Sequence, residues 1–147
     1  QLERDLSSPS METFFSILEV LGVTPEQFFS QQPLEQKIVY NEEESTLYYD
    51  EEHGYELKWL IPASNEKEME PVIITFDKNG EYKTFEPSLS ETFIYVIDGS
   101  IRLILGEATY IAKKGQTMYY QATEPHQISN NGRGKSRALI VATESYL

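Results

Sequence analysis

The sequence predicts a mainly β protein, an antiparallel β-barrel or jelly roll, preceded by two short α-helices. Apolar and polar residues alternate in three short runs: Phe93–Ile97, Ile101–Leu105 and Met118–Tyr120. Glycine stands at the reversals between these runs, as in Asp98-Gly99 and Lys114-Gly115. Alternation with a period of two predicts strands with one buried face. Short, evenly spaced strands separated by glycine turns favour an antiparallel barrel over parallel strands joined by helices.

Five further segments complete the predicted barrel. They are rich in β-branched and aromatic residues and are bounded by turn-forming residues. These predicted strands are Lys37–Tyr40, Ser45–Tyr49, Tyr55–Ile61, Glu70–Asp77 and Ala138–Thr143. A glycine-rich basic turn, Arg133–Lys135, precedes the last of them.

Two short helices are predicted before the barrel. In the first, Ser8 can cap the helix and Pro9 suits the first helical position. Its apolar residues recur at helical spacing: Met11, Phe14, Phe15, Leu18 and Leu21. In the second, Thr24 is the cap and Gln27 its capping-box partner. Neither helix can bury its apolar face alone.

The chain is expected to have two parts joined by a linker. Residues 1–30 form the helical part, and residues 31–37 are polar, contain a proline and lack periodicity, which is typical of a linker. Residues 38–147 form the barrel. A chain of 147 residues has room for one core with a small appendage.

Composition narrows the class of protein. The chain has 24 acidic and 12 basic side chains, a net charge of −12, and this charge taken alone opposes binding to nucleic acid. Cysteine is absent, which excludes disulfides and thiol chemistry and favours a reducing compartment. The sequence shows no apolar run of membrane-helix length and no signal-peptide pattern. We therefore expect a cytoplasmic protein.

The barrel segment resembles the cupin family. Gly115, Pro125-His126 and Asn130 fall where the second cupin motif should be. Phe93–Gly99 is similar to the closing strand of the first motif. The resemblance implies the cupin fold, a jelly-roll barrel. In cupins that have a binding site, the site lies inside this barrel.

The same resemblance argues against a metal centre. A metal-binding cupin supplies two histidines and a glutamate from the first motif and a histidine from the second. Here Thr92 stands at the glutamate position, seven residues before Gly99, and Glu86 and Ser88 lie where the histidines would be. His126 alone remains, and one imidazole does not hold a first-row metal. We expect no metal and no cofactor.

A second resemblance concerns the helical part. Residues 1–29 are similar to the final half of a lambda-repressor-like, XRE-class helix-turn-helix domain. The resemblance implies that Gln1–Arg4 is the end of the recognition helix, Met11–Leu21 the fourth helix and Pro25–Phe29 the fifth. It also implies amino-terminal truncation, with Gln1 and Arg4 as the DNA-binding residues that are left. The alternative is a helical pair that only covers an edge of the barrel.

If the cupin register holds, five polar residues face the barrel interior as a ligand-binding set: Glu86, Ser88, Thr92, Tyr120 and His126. An apolar wall with a few convergent polar groups is typical of a small-molecule pocket. The alternative is a filled barrel in which Tyr120 and His126 satisfy one another. No nucleophile or paired carboxylate lies at an interpretable spacing, so no catalytic residue is predicted.

Taken together, the two resemblances imply a transcriptional regulator with a helix-turn-helix domain and a cupin sensor domain. A small effector would bind in the barrel and alter the binding of a homodimer to operator DNA. Glu86 and the acidic loops favour a cationic amino compound, and Tyr55–Pro62 with Glu70-Pro71 resembles polyamine-responsive repressors. The alternatives are a metal-dependent cupin enzyme and a cupin that serves only for dimerisation.

Overall fold

The computed structural model describes residues 36–144 and residue 147. The compact unit to which the described strands belong runs from Tyr40 to Leu147. Nine strands form this described part, together with two short 3-10 turns, Glu42–Glu44 and Ser64–Glu66. The strands are β1 Thr46–Asp50, β2 Tyr55–Trp59, β3 Met69–Phe76, β4 Glu91–Asp98, β5 Ser100–Leu105, β6 Ala108–Lys113, β7 Thr117–Gln121, β8 His126–Asn130 and β9 Ser136–Thr143.

The strands form two antiparallel sheets. The larger sheet has the order β1-β2-β3-β9-β4-β7 and the smaller the order β6-β5-β8. The hydrophobic core draws on both, with Val72, Ile74, Ile94 and Ile140 from the larger sheet and Ile101, Leu103 and Ile128 from the smaller. The core therefore lies between the sheets. This mainly β architecture confirms the predicted fold class for the described residues.

Strands β3 and β9 lie in the middle of the larger sheet, and in both of them buried and less buried side chains alternate. In β3, Val72, Ile74 and Phe76 are buried while the residues between them are less so. In β9, Ala138 and Ile140 are buried in the same alternating pattern. Removing each large apolar side chain from water stabilises the fold by about 1.5–3 kcal/mol. A shift of one residue in either strand would expose the whole set.

One predicted strand is wrong and two strands were not predicted. Residues 37–40 form no strand, and Ile38 and Val39 are 73% and 77% exposed. Apolar alternation cannot make a strand without a partner, and β1, the neighbouring sheet edge, pairs only with β2. Strands β6 and β8 were not predicted, whereas the remaining predicted strands agree with the structure to within two residues.

The helices predicted within residues 1–30 lie outside the described residues, as does most of the predicted linker. No helix in the described part of the chain is long and apolar enough to span a membrane.

The buried side-chain amide of Asn130, at the end of β8, forms hydrogen bonds with several separate segments. Its Nδ2 donates hydrogen bonds to the carbonyl oxygens of Asp77 and Gly134, at 2.8 and 2.7 Å. Its Oδ1 accepts hydrogen bonds from the Gly132 amide and the Ser136 hydroxyl, both at 2.7 Å. Both donor hydrogens and two acceptor positions are thus used, so this polar side chain is buried without an unsatisfied group.

Replacing Asn130 should therefore destabilise the domain. Asn130→Ala leaves two carbonyl oxygens, an amide and a hydroxyl without this partner, and we expect a loss of roughly 2–4 kcal/mol in the free energy of unfolding. Urea denaturation followed by circular dichroism measures it. Asn131→Ala is the control, because Asn131 is only half-buried. Equal effects of the two substitutions would contradict the central role of Asn130.

The hairpin between β1 and β2 contains a pH-sensitive contact. Asp50 Oδ2 lies 2.8 Å from His53 Nδ1, and this hydrogen bond raises the pKa of His53 above 6.5. The pKa of Asp50 is lowered first by the backbone N–H of His53, which donates to Asp50 Oδ1 at 3.0 Å, and then by the imidazole. The His53 contribution is fully present below pH 6.5 and is lost as the pH rises through the raised pKa. An NMR titration should show this raised pKa in the wild type and an ordinary one in Asp50→Asn. An unchanged His53 pKa in that variant would refute the pairing.

Candidate ligand site in the barrel

A row of side chains crosses the inner face of the larger sheet at one level. Strand register places Glu70 opposite Ala142, Ala142 opposite Thr92, and Thr92 opposite Tyr120. Glu70, Ala142 and Thr92 are buried, and Tyr120 is half-buried and packs against the core. Since neighbouring strands lie about 4.8 Å apart, Glu70 and Tyr120 mark the ends of a row about 14 Å wide.

His126 approaches this row from the smaller sheet. Its side chain is 2% exposed and its Nδ1 lies 2.9 Å from the Glu124 carbonyl oxygen. A carbonyl accepts only, so Nδ1 carries the hydrogen and Nε2 is the acceptor in the neutral ring. Phe85 stacks on the imidazole at a centroid distance of 5.3 Å, and Tyr120 meets it edge-on at 5.8 Å. Aromatic packing therefore fixes the orientation of the ring.

The space beside His126 is filled. The cavity there measures about 10 Å³. Its walls are Tyr82, Phe85, Ile94, Tyr120, His126, Ile128, Ile140 and Leu147. A single water needs about 10–15 Å³. A ligand that entered between Tyr120 and His126 would have to displace side chains.

Two larger cavities flank this packed centre. The seam cavity, of about 420 Å³, lies between the edge strands β6 and β7 and is lined chiefly by apolar side chains and by Tyr120. The Glu70 cavity, of about 500 Å³, lies at the β2–β3 end of the larger sheet. Its walls are Thr46, Trp59, Ile61, Pro62, Ala63, Ser64, Asn65, Glu70 and Leu147. Both volumes are in the range of small-molecule sites.

The five predicted ligand-binding residues differ in how deeply they are buried. Thr92 and His126 are buried and Tyr120 is half-buried next to them. Ser88 is half-buried and its hydroxyl accepts a hydrogen bond from the Ser90 amide at 2.9 Å. Glu86 is exposed. The structure thus brings three of the five close to the barrel interior.

The predicted DNA-binding residues, Gln1 and Arg4, lie outside the described part of the chain.

The donor groups around His126 do not suit a metal ion. Thr92 replaces the carboxylate at its inward position, and Glu91, its neighbour, is exposed. Among the described residues no group of three or more His, Cys, Asp or Glu side chains could hold a metal. A catalytic metal site usually needs three protein ligands of these types, so the donor set does not fit the metal that many cupins carry.

Glu70 was not predicted as a site residue, although the sequence contains a signal for it. Within β3 it occupies the alternating position shared with Val72, Ile74 and Phe76, all of which are buried. A carboxylate in an inward register is unusual because its burial is costly unless it is paired. Glu70 was missed because the prediction of a strand does not by itself show which of its two faces becomes buried.

Removing the imidazole of His126 should leave a void in this packed centre. We expect His126→Ala to lower the free energy of unfolding by about 2–4 kcal/mol, the range for truncating a large buried side chain. Thermal unfolding of the variant measures the loss. The chain's other histidine supplies the control: His53→Ala should have a much smaller effect, since half of that side chain is exposed. Similar losses in both variants would contradict tight packing at His126.

Comparison with known proteins agrees with this architecture. Residues 73–142 match the family model of the cupin domain, Cupin_2. The chain is 24% identical over 144 residues to the HTH-type transcriptional regulator PuuR of Escherichia coli (strain K12), an alignment that covers 97% of this chain and 77% of PuuR.

Two solved structures show the same fold. An HTH_3 family transcriptional regulator from Vibrio cholerae is 18% identical with a TM-score of 0.57, covering 96% of this chain and 75% of that one. The iron(II) form of HppE is 16% identical with a TM-score of 0.61, covering 94% and 78%. The predicted resemblance to helix-turn-helix regulators with a cupin domain is confirmed. Residues 73–142 thus match the cupin domain, in a chain similar to an HTH-type transcriptional regulator over nearly all of its length.

Proposed function

We propose that the chain belongs to a cytoplasmic, DNA-binding transcriptional regulator whose cupin domain senses a small molecule. The observation that carries the proposal is the similarity to PuuR, because it extends over 97% of this chain and so beyond the cupin domain. The net charge of the chain, −12, opposes binding to phosphates. Operator contacts then belong to the helix-turn-helix part, and Gln1 and Arg4 are the residues of this chain that we propose to take part in them.

The effector in this proposal binds in the barrel and changes how a homodimer fits its operator. Thr92, Tyr120 and His126 form the inner part of the proposed site, and Ser88 and Glu86 form its outer part. The exposed Glu86 carboxylate and the acidic composition favour a cationic amino compound over an anion. Tyr120 also lines the seam cavity, which offers a ligand of this class about 420 Å³.

A second candidate function follows from the small void at His126. With only about 10 Å³ there, the cupin domain would serve for dimerisation alone, and the regulatory input would lie elsewhere. This candidate predicts that no small molecule stabilises the domain.

The first test concerns ligand binding. A thermal-shift screen against polyamines, amino acids, sugars and divalent metals should reveal one stabilising class. A ligand at a hundred times its dissociation constant adds about 2.7 kcal/mol of stability, which moves Tm by several degrees. We expect His126→Ala and Glu86→Gln to abolish the shift while each variant keeps a cooperative unfolding transition. A silent screen would favour the dimerisation-only candidate, and a shift by metals alone would favour a metal-dependent enzyme.

The second test concerns DNA. Operator fragments selected by the full-length gene product from a random DNA pool should be shifted by that product in a gel assay. The 147-residue chain should not shift them, because Arg4 is the only basic residue among residues 1–29. The effector from the first test should change the operator Kd of the full-length protein. Selection of no DNA sequence at all would overturn the proposed function.

A further inference from the structure

A segment that belongs to neither sheet covers the inner part of the proposed site. This segment, residues 82–88, is called the strap here and lies between β3 and β4. Its residues Tyr82 and Phe85 are only 2% and 9% exposed. Its exposed residues are Lys83, Thr84, Glu86 and Pro87. The strap thus buries two aromatic rings and leaves most of its other side chains at the surface.

The two buried rings of the strap close the space next to His126. Phe85 stacks on the imidazole at a centroid distance of 5.3 Å, and Tyr82 meets Phe85 edge-on at 5.2 Å. Both rings line the cavity of about 10 Å³ beside His126. The Lys83 ammonium lies 5.0 Å from the centre of the Phe85 ring, where a cation is attracted to the ring face. A ligand that contacts His126 on this side must therefore displace the strap.

Isolated bridges rather than a ladder join this segment to β8, one of them between Phe85 and His126. These two residues exchange backbone hydrogen bonds of 2.8 and 3.1 Å, and the Tyr82 amide donates to the Ile128 carbonyl oxygen at 3.0 Å. Gln127 Nε2 donates to the Tyr82 carbonyl oxygen at 2.6 Å. By contrast, β9 pairs with β3 at eight successive positions and with β4 on its other side. Segments at the surface with little pairing open at a lower free energy than central strands do.

The strap also carries the outer part of the proposed site. Glu86 is exposed, whereas the Ser88 hydroxyl accepts a hydrogen bond from the Ser90 amide. The Ser88 amide donates to the Ala122 carbonyl oxygen at 2.6 Å. His126, in the inner part of the site, lies behind the two buried rings. One ligand can contact both parts only if the strap moves.

We propose that the strap is the lid of the sensor site. The ligand enters when residues 82–88 lift from β8 and carry Tyr82 and Phe85 away from His126, and the same movement repositions Glu86 and Ser88. The apparent Kd is the intrinsic Kd divided by the open fraction, so a strap that is open in about 1% of molecules weakens binding about a hundredfold. The proposal rests on the proposed sensor function and adds the residues that control access to the site.

Hydrogen exchange followed by NMR tests whether the strap opens by itself. The probes are the amides of Tyr82 and Phe85, and the reference is the amide of Ile140, which lies in the central ladders and is 1% exposed. We expect protection factors at least about tenfold lower for the two strap amides, with a weaker dependence on urea. Equal protection and equal urea dependence would mean that the strap opens only when the domain unfolds, which overturns the proposal.

An engineered disulfide tests whether binding requires the strap to open. Glu81, next to the strap, lies opposite Ser129 of β8, and backbone hydrogen bonds of their neighbours flank the pair. The Cα atoms of such a pair are about 4.5 Å apart, within the range of a disulfide. Because the chain has no cysteine, Glu81→Cys with Ser129→Cys supplies one pair of thiols. The reduced form of the same variant is the matched control.

Oxidation should raise the protection of the Phe85 amide relative to that of Ile140, which shows that the disulfide holds the strap. The compounds for the binding measurement are those of the thermal-shift screen: polyamines, amino acids, sugars and divalent metals. By isothermal titration calorimetry, a compound that stabilises the wild type should bind the oxidised variant at least about tenfold more weakly than the reduced one. Circular dichroism establishes that both forms are folded. Equal binding by the two forms would overturn the lid.

The two measurements separate the lid from the sensor function. A strap that opens by itself while the screen is silent refutes the sensor function and, with it, the use of the strap as a lid. A ligand that depends on His126, combined with a strap that opens only on unfolding, supports the sensor function and refutes the lid.

Discussion

The pairing of β9 with β3 on one side and β4 on the other is the constraint on which the candidate site depends. Through these two ladders Ala142 stands between Glu70 and Thr92, and β7 continues the same level to Tyr120. The register irregularity of β4 begins only after Val96, so the site end of the ladder is regular. Because side chains alternate with a period of two, a slip of one residue in β9 would break up the whole row.

Two buried polar side chains differ in how many of their hydrogen-bonding positions are used within the described part of the chain. Asn130 uses both amide hydrogens and both acceptor positions within the chain, and it is therefore a structural residue. Glu70 accepts one described hydrogen bond, from Ser64, although a carboxylate offers about four acceptor positions. Full satisfaction makes a buried polar group part of the fold, whereas partial satisfaction leaves acceptor capacity that the described residues do not use.

Local patterns in the sequence predicted most of the fold but only part of the site. Alternation and glycine turns located β4 and β5, and seven-residue spacing before Gly99 placed Thr92 inward, as its burial shows. β6 escaped prediction because nearly all of its residues are exposed and alternation disappears. Exposed Glu86 and buried Glu70 are both glutamates near apolar strands. Alternation places Glu70 on the same face of β3 as Val72, and the pairing of β3 with β9 shows that this face is buried.

Charge sets a limit on how a cationic effector would act in the proposed regulator. One bound monovalent cation changes a net charge of −12 by a single unit, and fields are screened beyond about 8 Å at physiological ionic strength. A tenfold change in operator affinity requires the ligand to favour one conformation or assembly by about 1.4 kcal/mol. Such a preference needs a contact that differs between states. Strand ladders hold Thr92 and Tyr120, whereas isolated bridges join the strap to β8. The strap is therefore the described wall of the cavity beside His126 most able to differ between the states.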